Sequence, residues 1–309
     1  MQKRSPFLPL LSLLLIFSTF LWACDPVQEP PASEFLPSVE LPTGVVSTQI
    51  PEILPTATEV PSPIMVNGES IPLSYYQNEI LRYRDSLTEQ TIQPTEQDIS
   101  QTVLNYLVDQ QLLSQTARQN GFQVSDQQLQ ERIDQLVSYL GSGGTLTQWM
   151  QTNHYDDPEF RQTLRISMEA AWQRDQITQT VPDAIEQVRA QQIFASTQAG
   201  ADRALNSLIA GADFTTLAWD YSPESGGELG WFPRGYLLYP EVEEAAFSLE
   251  PGSYSGIIQS EIGFHILLVL EHEAEHPLTT DARVSLQNQA LIDWLVQARS
   301  SAQIVINLP

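Results

Sequence analysis

The stretch Gly226-Gly227-Glu228-Leu229-Gly230-Trp231-Phe232 limits what this chain can build more than any other. Glycine is selected where the backbone takes positive φ or where another segment comes too close for a Cβ. Glycines at the head of an apolar run therefore mark a tight turn entering a strand. Further on, Glu241 to Phe247 combines acids with an apolar stripe at helical spacing, and Gly263-Phe264-His265-Ile266 puts a histidine inside a strand. Turn, strand, acidic helix and histidine strand describe one compact unit around a small apolar pocket.

Upstream the pattern is helical. Met65-Val66-Asn67-Gly68-Glu69-Ser70-Ile71 reads as a short strand with an Asn-Gly turn, and Ser74 with Gln77 as a capping box ahead of Tyr76, Ile80, Tyr83 and Leu87. A second helix follows Thr95, with Ile99, Val103, Leu107 and Leu113 at whole-turn spacing and Gly121 as its left-handed cap. Ser125 and Gln128 open a third, striped by Leu129, Ile133, Leu136, Val137 and Leu140 and broken at Gly141-Ser142-Gly143-Gly144. Thr145 and Gln148 head a short fourth, and Asp157-Pro158-Glu159 starts a fifth with Asp157 at the cap. None of these stripes can be buried alone, so residues 64–181 are expected to form one helical unit.

From Asp183 the periodicity changes. Strands are expected at 188–194, 229–232, 254–259 and 263–271, with helices at 199–209, 214–219 and 241–247. That makes residues 182–276 an α+β domain, a small sheet with surrounding helices. A last helix, Thr280 to Arg299, needs a partner for its stripe, so residues 277–309 are expected to pack back onto the all-α unit.

The N-terminus reads as an address. Lys3 and Arg4 precede an almost unbroken apolar run from Phe7 to Trp22, closed by Leu21-Trp22-Ala23-Cys24. This is the layout of a secretory signal over residues 1–23. The tetrapeptide resembles a bacterial lipobox, which implies cleavage before Cys24 and lipidation of that cysteine; an uncleaved N-terminal anchor is the alternative. Both place the remainder outside the cytoplasm and hold it at a membrane. Residues 24–63, punctuated by prolines at 26, 30, 31, 37, 42, 51, 55, 61 and 63, read as an extended, disordered tether. Cys24 is the only cysteine, so internal disulfides are excluded. With 38 acidic residues against 14 basic ones, a net charge of -24 and a single lysine, nucleic acid is not an expected partner, because binding it requires clustered cations.

Several segments together resemble a known family. Val188-Arg189-Ala190-Gln191-Gln192-Ile193-Phe194, Gly211-Ala212-Asp213-Phe214, Tyr221-Ser222, the glycine stretch, Ala245-Ala246-Phe247-Ser248-Leu249-Glu250-Pro251-Gly252 and Gly263-Phe264-His265-Ile266 are similar in order and spacing to a parvulin domain. Parvulins are peptidyl-prolyl cis-trans isomerases of the rotamase type, and the match covers about residues 186–272. The helical unit from Val66-Asn67-Gly68-Glu69 onward, with the last helix, resembles the chaperone module of PrsA- and SurA-type extracytoplasmic foldases. The parvulin resemblance implies that the sheet of residues 182–276 is antiparallel, and that the protein is an enzyme that twists X-Pro bonds in unfolded or secreted polypeptides. Rotation about such a bond meets a barrier of about 20 kcal/mol. No bond breaks, so neither cofactor nor metal is needed; the enzyme must grip the ring and favour the twisted amide.

Carried over residue by residue, the resemblance assigns the grip to Phe232, Leu238 and Val242. It puts Glu224 where the family has a Cys or Asp beside the twisting amide, Ser260 where a Thr hydroxyl often stands, and His265 at the second of two core histidines. Gln192 occupies the first histidine's position, where it can hydrogen-bond His265 but cannot become cationic. Val242 replaces a more usual aromatic ring. These departures keep a second function open, a holdase that binds through the same groove without catalysis. No basic cluster follows Val188, so selectivity for a phosphate is not expected.

One rival motif remains. His272-Glu273-Ala274-Glu275-His276 is a literal H-E-x-x-H, whose zinc chemistry needs both histidines on one helical face and a further ligand. Here it follows a strand, Pro277 comes next and no histidine lies downstream, so a polar strand exit is expected instead of a zinc hydrolase.

Overall fold

The structure, a computed structural model, describes residues 63–87 and 94–308. The expected signal, Cys24 and all but the last residue of the expected tether lie outside the described residues. Asn67 and Gly68 take φ of 51° and 83°, the left-handed pair that a two-residue hairpin requires. The single expected strand is therefore a hairpin, β1 (Ile64–Val66) and β2 (Glu69–Ile71). The free edge of β1 takes β7 (Ile304–Ile306), which the sequence does not reveal, so that Ile64 stands opposite Ile306 and both ends of the described chain close one small sheet.

Five helices follow: α1 (Leu73–Ser86), α2 (Glu96–Gln119), α3 (Asp126–Leu140), α4 (Gly143–Thr152) and α5 (Asp157–Thr178). Thr95 with Asp98 and Ser125 with Gln128 make reciprocal capping boxes, and Gly141 ends α3 at φ 89°. Elsewhere the helices start earlier than their side chains suggest. Ser74 lies inside α1, which begins directly after Pro72 with no side-chain cap, because β2 runs to Ile71. Ser142 caps α4 in place of Thr145, and Asp156 caps α5 in place of Asp157. The final helix, α9 (Thr280–Ser301), sets Trp294 and Ala298 against the core of α1 and α2, and Leu291 and Leu295 against Leu113, Ala170 and Ile177.

Between α5 and α9 lie β3 (Ala184–Ala195), α6 (Gln198–Ile209), α7 (Phe214–Tyr221), β4 (Glu228–Pro233), α8 (Pro240–Ser248), β5 (Ile258–Ser260) and β6 (Gly263–Pro277). The four strands form an antiparallel sheet in the order β4-β3-β6-β5. Side chains alternate between its faces. Val188, Ala190, Leu267 and Val269 meet Phe232, Val242, Ala246 and Phe247 beneath α8. Ile193 and Ile266 meet Ala204, Leu208, Phe214 and Ala218 on the opposite face.

The strand expected at 254–259 is reduced to β5 and a single bridge between Tyr254 and Leu268. Conversely, β6 outlasts its apolar run, because its polar half pairs with the start of β3, Val188 opposite His272 and Ala184 opposite Pro277. His272 to His276 is thus extended; His272 meets Glu186 at 2.9 Å and His276 meets Glu273 at 2.9 Å.

Candidate functional site

The site grows out of the apolar row under α8. Two-residue alternation carries that row along β3 from Val188 and Ala190 to Gln192, and along β6 from Val269 and Leu267 to His265. At that end the row turns polar. His265, only 2% exposed, lies with Nδ1 2.9 Å from Oε1 of Gln192 and Nε2 2.7 Å from Oγ of Ser260 in β5. A carboxamide oxygen can only accept, so Nδ1 carries the proton and donates, and Nε2 accepts from the serine hydroxyl. Burial holds the imidazole below its usual pKa, with the charge of Glu241 pulling the other way. Phe194 and Tyr239 flank the ring, with centroids 5.2 and 6.0 Å away. The result is a neutral hydrogen-bonded chain across three strands.

The double glycine clamps a loop onto this chain. Gly226 and Gly227 take φ of 61° and 71°, and a Cβ on Gly227 would lie 1.9 Å from the carbonyl oxygen of Gln192. No other residue fits there. The N–H of Gln192 donates to Gly227 O at 2.8 Å. Its buried neighbour Gln191 donates to Gly226 O at 2.6 Å and accepts from Thr215 at 3.1 Å. Glu224 stands exposed in this loop, two residues before Gly226.

Of the residues assigned by resemblance, the structure links Gln192, His265 and Ser260 directly. It does not gather Phe232, Val242 and Leu238 into one open cup. Phe232 is 0% and Val242 3% exposed, both in the core below α8, whereas Leu238 is 80% exposed. The turn before α8 explains the split: Glu243 accepts the backbone N–H groups of Gly235, Tyr236 and Leu237 at 2.7, 3.0 and 3.0 Å. So held, the turn packs Tyr236, Leu237 and Tyr239 against the core and leaves Leu238 outside. Tyr239 and Glu241 escaped sequence reasoning. Their signal was Pro240, which at the first helical position brings the residues beside it to the helix entrance, next to His265.

A small antiparallel sheet covered by α8 on one face and by α6 and α7 on the other, with a double-glycine turn locked to a buried neutral histidine, defines a rotamase domain of the parvulin kind. Comparison agrees: residues 171–271 match the PPIC-type PPIASE domain and residues 53–164 the SurA-like N-terminal domain. The chain carries a PPIC-type peptidyl-prolyl isomerase domain behind a SurA-like N-terminal domain, and is a rotamase of the foldase kind. It is similar to the foldase protein PrsA of Caldanaerobacter subterraneus subsp. tengcongensis, 28% identical over 232 residues, which cover 66% of this chain and 71% of that protein. It is also similar to the chaperone SurA of Nitrosococcus oceani, 28% identical over 257 residues, 68% of this chain and 58% of that protein. A crystal structure of peptidylprolyl isomerase (PrsA) from Bacillus cereus aligns with 21% identity and a TM-score of 0.44, over 70% of this chain and 83% of that chain.

Proposed function

We propose that the open end of the α8 face, floored by Gln192, His265 and Ser260, receives the proline ring and twisting amide of unfolded, secreted polypeptides. The observation that supports this most is the neutral hydrogen-bonded chain at His265. The planar amide carries more charge on its oxygen than the twisted one, because resonance is lost on rotation. An uncharged floor gives the planar form no compensating partner, which favours the twisted form relative to water. Glu224, an exposed carboxylate on the glycine-locked loop, opposes the oxygen charge of the planar form in the same sense. Leu238 covers the ring from outside, and Phe232 and Val242 stiffen the floor from below.

The full chain is expected to speed cis-trans exchange in a short prolyl peptide followed by NMR, and Glu224→Gln to slow that exchange. Exchange at the uncatalysed rate with the intact protein would sink the catalytic reading. The burial of Phe232 and Val242 supports a second one, a holdase that binds clients at this groove without acceleration. It is distinguished by client binding that persists when exchange is uncatalysed.

We further infer an extracytoplasmic protein held by lipid on Cys24, with residues 24–63 as tether, 64–181 and 277–309 as one helical chaperone module and 182–276 as the isomerase domain. The lipobox-like Leu21-Trp22-Ala23-Cys24 supports the anchor. Cys24→Ser is expected to abolish incorporation of labelled fatty acid; unchanged labelling would refute the anchor.

A further inference from the structure

A cavity of about 460 Å³ lies away from the isomerase site, between β2, α1, α2 and α5. Exposed wall residues, Glu69, Pro72 and Pro158, mark its mouth. Its depth is unusual for a helical interior, because it is charged. Glu79, 5% exposed, and Glu159, 1% exposed, share one cation: Arg82 donates to Glu79 Oε2 at 2.7 Å and to Glu159 Oε1 at 2.9 Å. Arg82 is further held over the Tyr155 ring at 3.9 Å. At the mouth, Arg118 is likewise divided, 2.8 Å from Glu69 and 3.5 Å from Glu169. Each guanidinium serves two carboxylates, and of the charged residues that line the cavity Glu69 and Glu79 stand against Arg82 alone, so the wall keeps an excess of negative charge. Arg174 on α5, whose field reaches Tyr106, is not part of the wall.

The excess is aimed at the void. Glu79 lines it, and among the described residues its Oε1 accepts no hydrogen bond. Burial lifts its carboxyl above the usual range despite Arg82, so the site holds an under-compensated acid. Tyr75 and Tyr106 stand in the same wall, and a tyrosine ring attracts a cation placed over its face. We propose that this cavity takes a cationic side chain, the guanidinium of Arg or the ammonium of Lys, from an unfolded client segment, seated between Glu79 and the two tyrosines. Apart from Arg82 in the wall and Arg174 near Tyr106, the adjoining sequence offers no cation: from residue 5 to residue 81 there is no Lys or Arg, and residues 88–93 contain none. The occupant assigned is another molecule. This site rests on the client-binding half of the proposed function and not on catalysis.

The test uses the full chain and a short, labelled, proline-free Gly/Ser peptide carrying a single Arg, beside its twin carrying uncharged citrulline. Fluorescence anisotropy is expected to show the Arg peptide bound about tenfold more tightly, with the preference abolished in Glu79→Gln. Equal binding of the twins, or a preference that survives Glu79→Gln, overturns the proposal. Should Glu79→Gln fail to fold by circular dichroism, the wild type decides: butylguanidinium must displace the Arg peptide and butylurea must not. Binding of butylguanidinium without binding of the peptide also overturns it. Because neither probe contains proline, failure here leaves the isomerase groove untouched, and failure of prolyl exchange leaves this cavity untouched.

Discussion

The two regions solve one problem in opposite ways. Both bury polar side chains, but the sheet holds His265 between the neutral, half-buried Gln192 and Ser260, whereas the helices hold Glu79 and Glu159 on the half-buried Arg82. A neutral chain costs little to bury once every partner is made, since each hydrogen bond is worth about 1 kcal/mol net. Buried ions cost several kcal/mol each to desolvate and depend on the partners that compensate them. The difference follows the work proposed for each. Twisting an amide calls for an environment without strong charge, and holding a client side chain calls for a charge left partly unmet.

The strongest way to break this contrast is at the backbone that shapes the neutral site. In Gly227→Ala the new Cβ meets the Gln192 carbonyl at 1.9 Å, and φ of 71° adds its own strain. Backbone against backbone cannot relax as a flexible side chain would, so a loss of about 4 kcal/mol or more is expected, confined to the four-stranded sheet. Hydrogen exchange should show β3 and β6 opening while α2 and α5 stay protected. Protection lost throughout both regions would mean that they do not unfold separately.

Removing a charge in the helices ranks next. Glu159→Ala leaves Arg82 with Glu79 as its one carboxylate partner and strips Asn78 of its acceptor at 2.7 Å. Breaking a buried ion pair costs about 3 kcal/mol or more. Ser260→Ala, which removes one neutral partner of His265, should cost only about 1 kcal/mol. Urea denaturation of the two variants compares the charged and neutral solutions directly, and equal losses would erase the distinction.

Much of this organisation was legible because its causes are local. The capping boxes at Thr95 and Ser125 and the stop at Gly141 involve residues within one turn of each other. So did the glycine turn and the histidine strand. What escaped depends on partners distant in sequence. The three residues of β7 become a strand only because β1 offers an edge, and the polar half of β6 only because β3 extends to meet it. The split of Phe232, Val242 and Leu238 between core and solvent turns on three backbone donors converging on Glu243, which no spacing rule reports. The cavity beside Glu79 was invisible for the same reason: its walls come from four elements, and only their packing shows two carboxylates sharing Arg82.

The smallest effect sharpens the contrast most, because it reads the charge state of the neutral site. Burial keeps the pKa of His265 below the value of about 6.5 it has in an unfolded chain. Between those two values the unfolded chain binds a proton that the native protein does not, so stability rises with pH across that window. It is fully present above about 6.5 and is lost as pH falls below it, levelling off once pH drops beneath the folded value. Urea midpoints of the sheet region should therefore decline from pH 7.5 to pH 5, and His265→Asn should remove part of that slope. Gln192→His restores a second imidazole beside the first, and two protonated rings repel, so the decline should steepen. A slope unchanged in both variants would mean that His265 is protonated alike in the folded and unfolded states, and the neutral floor beneath the twisting amide would have to be abandoned.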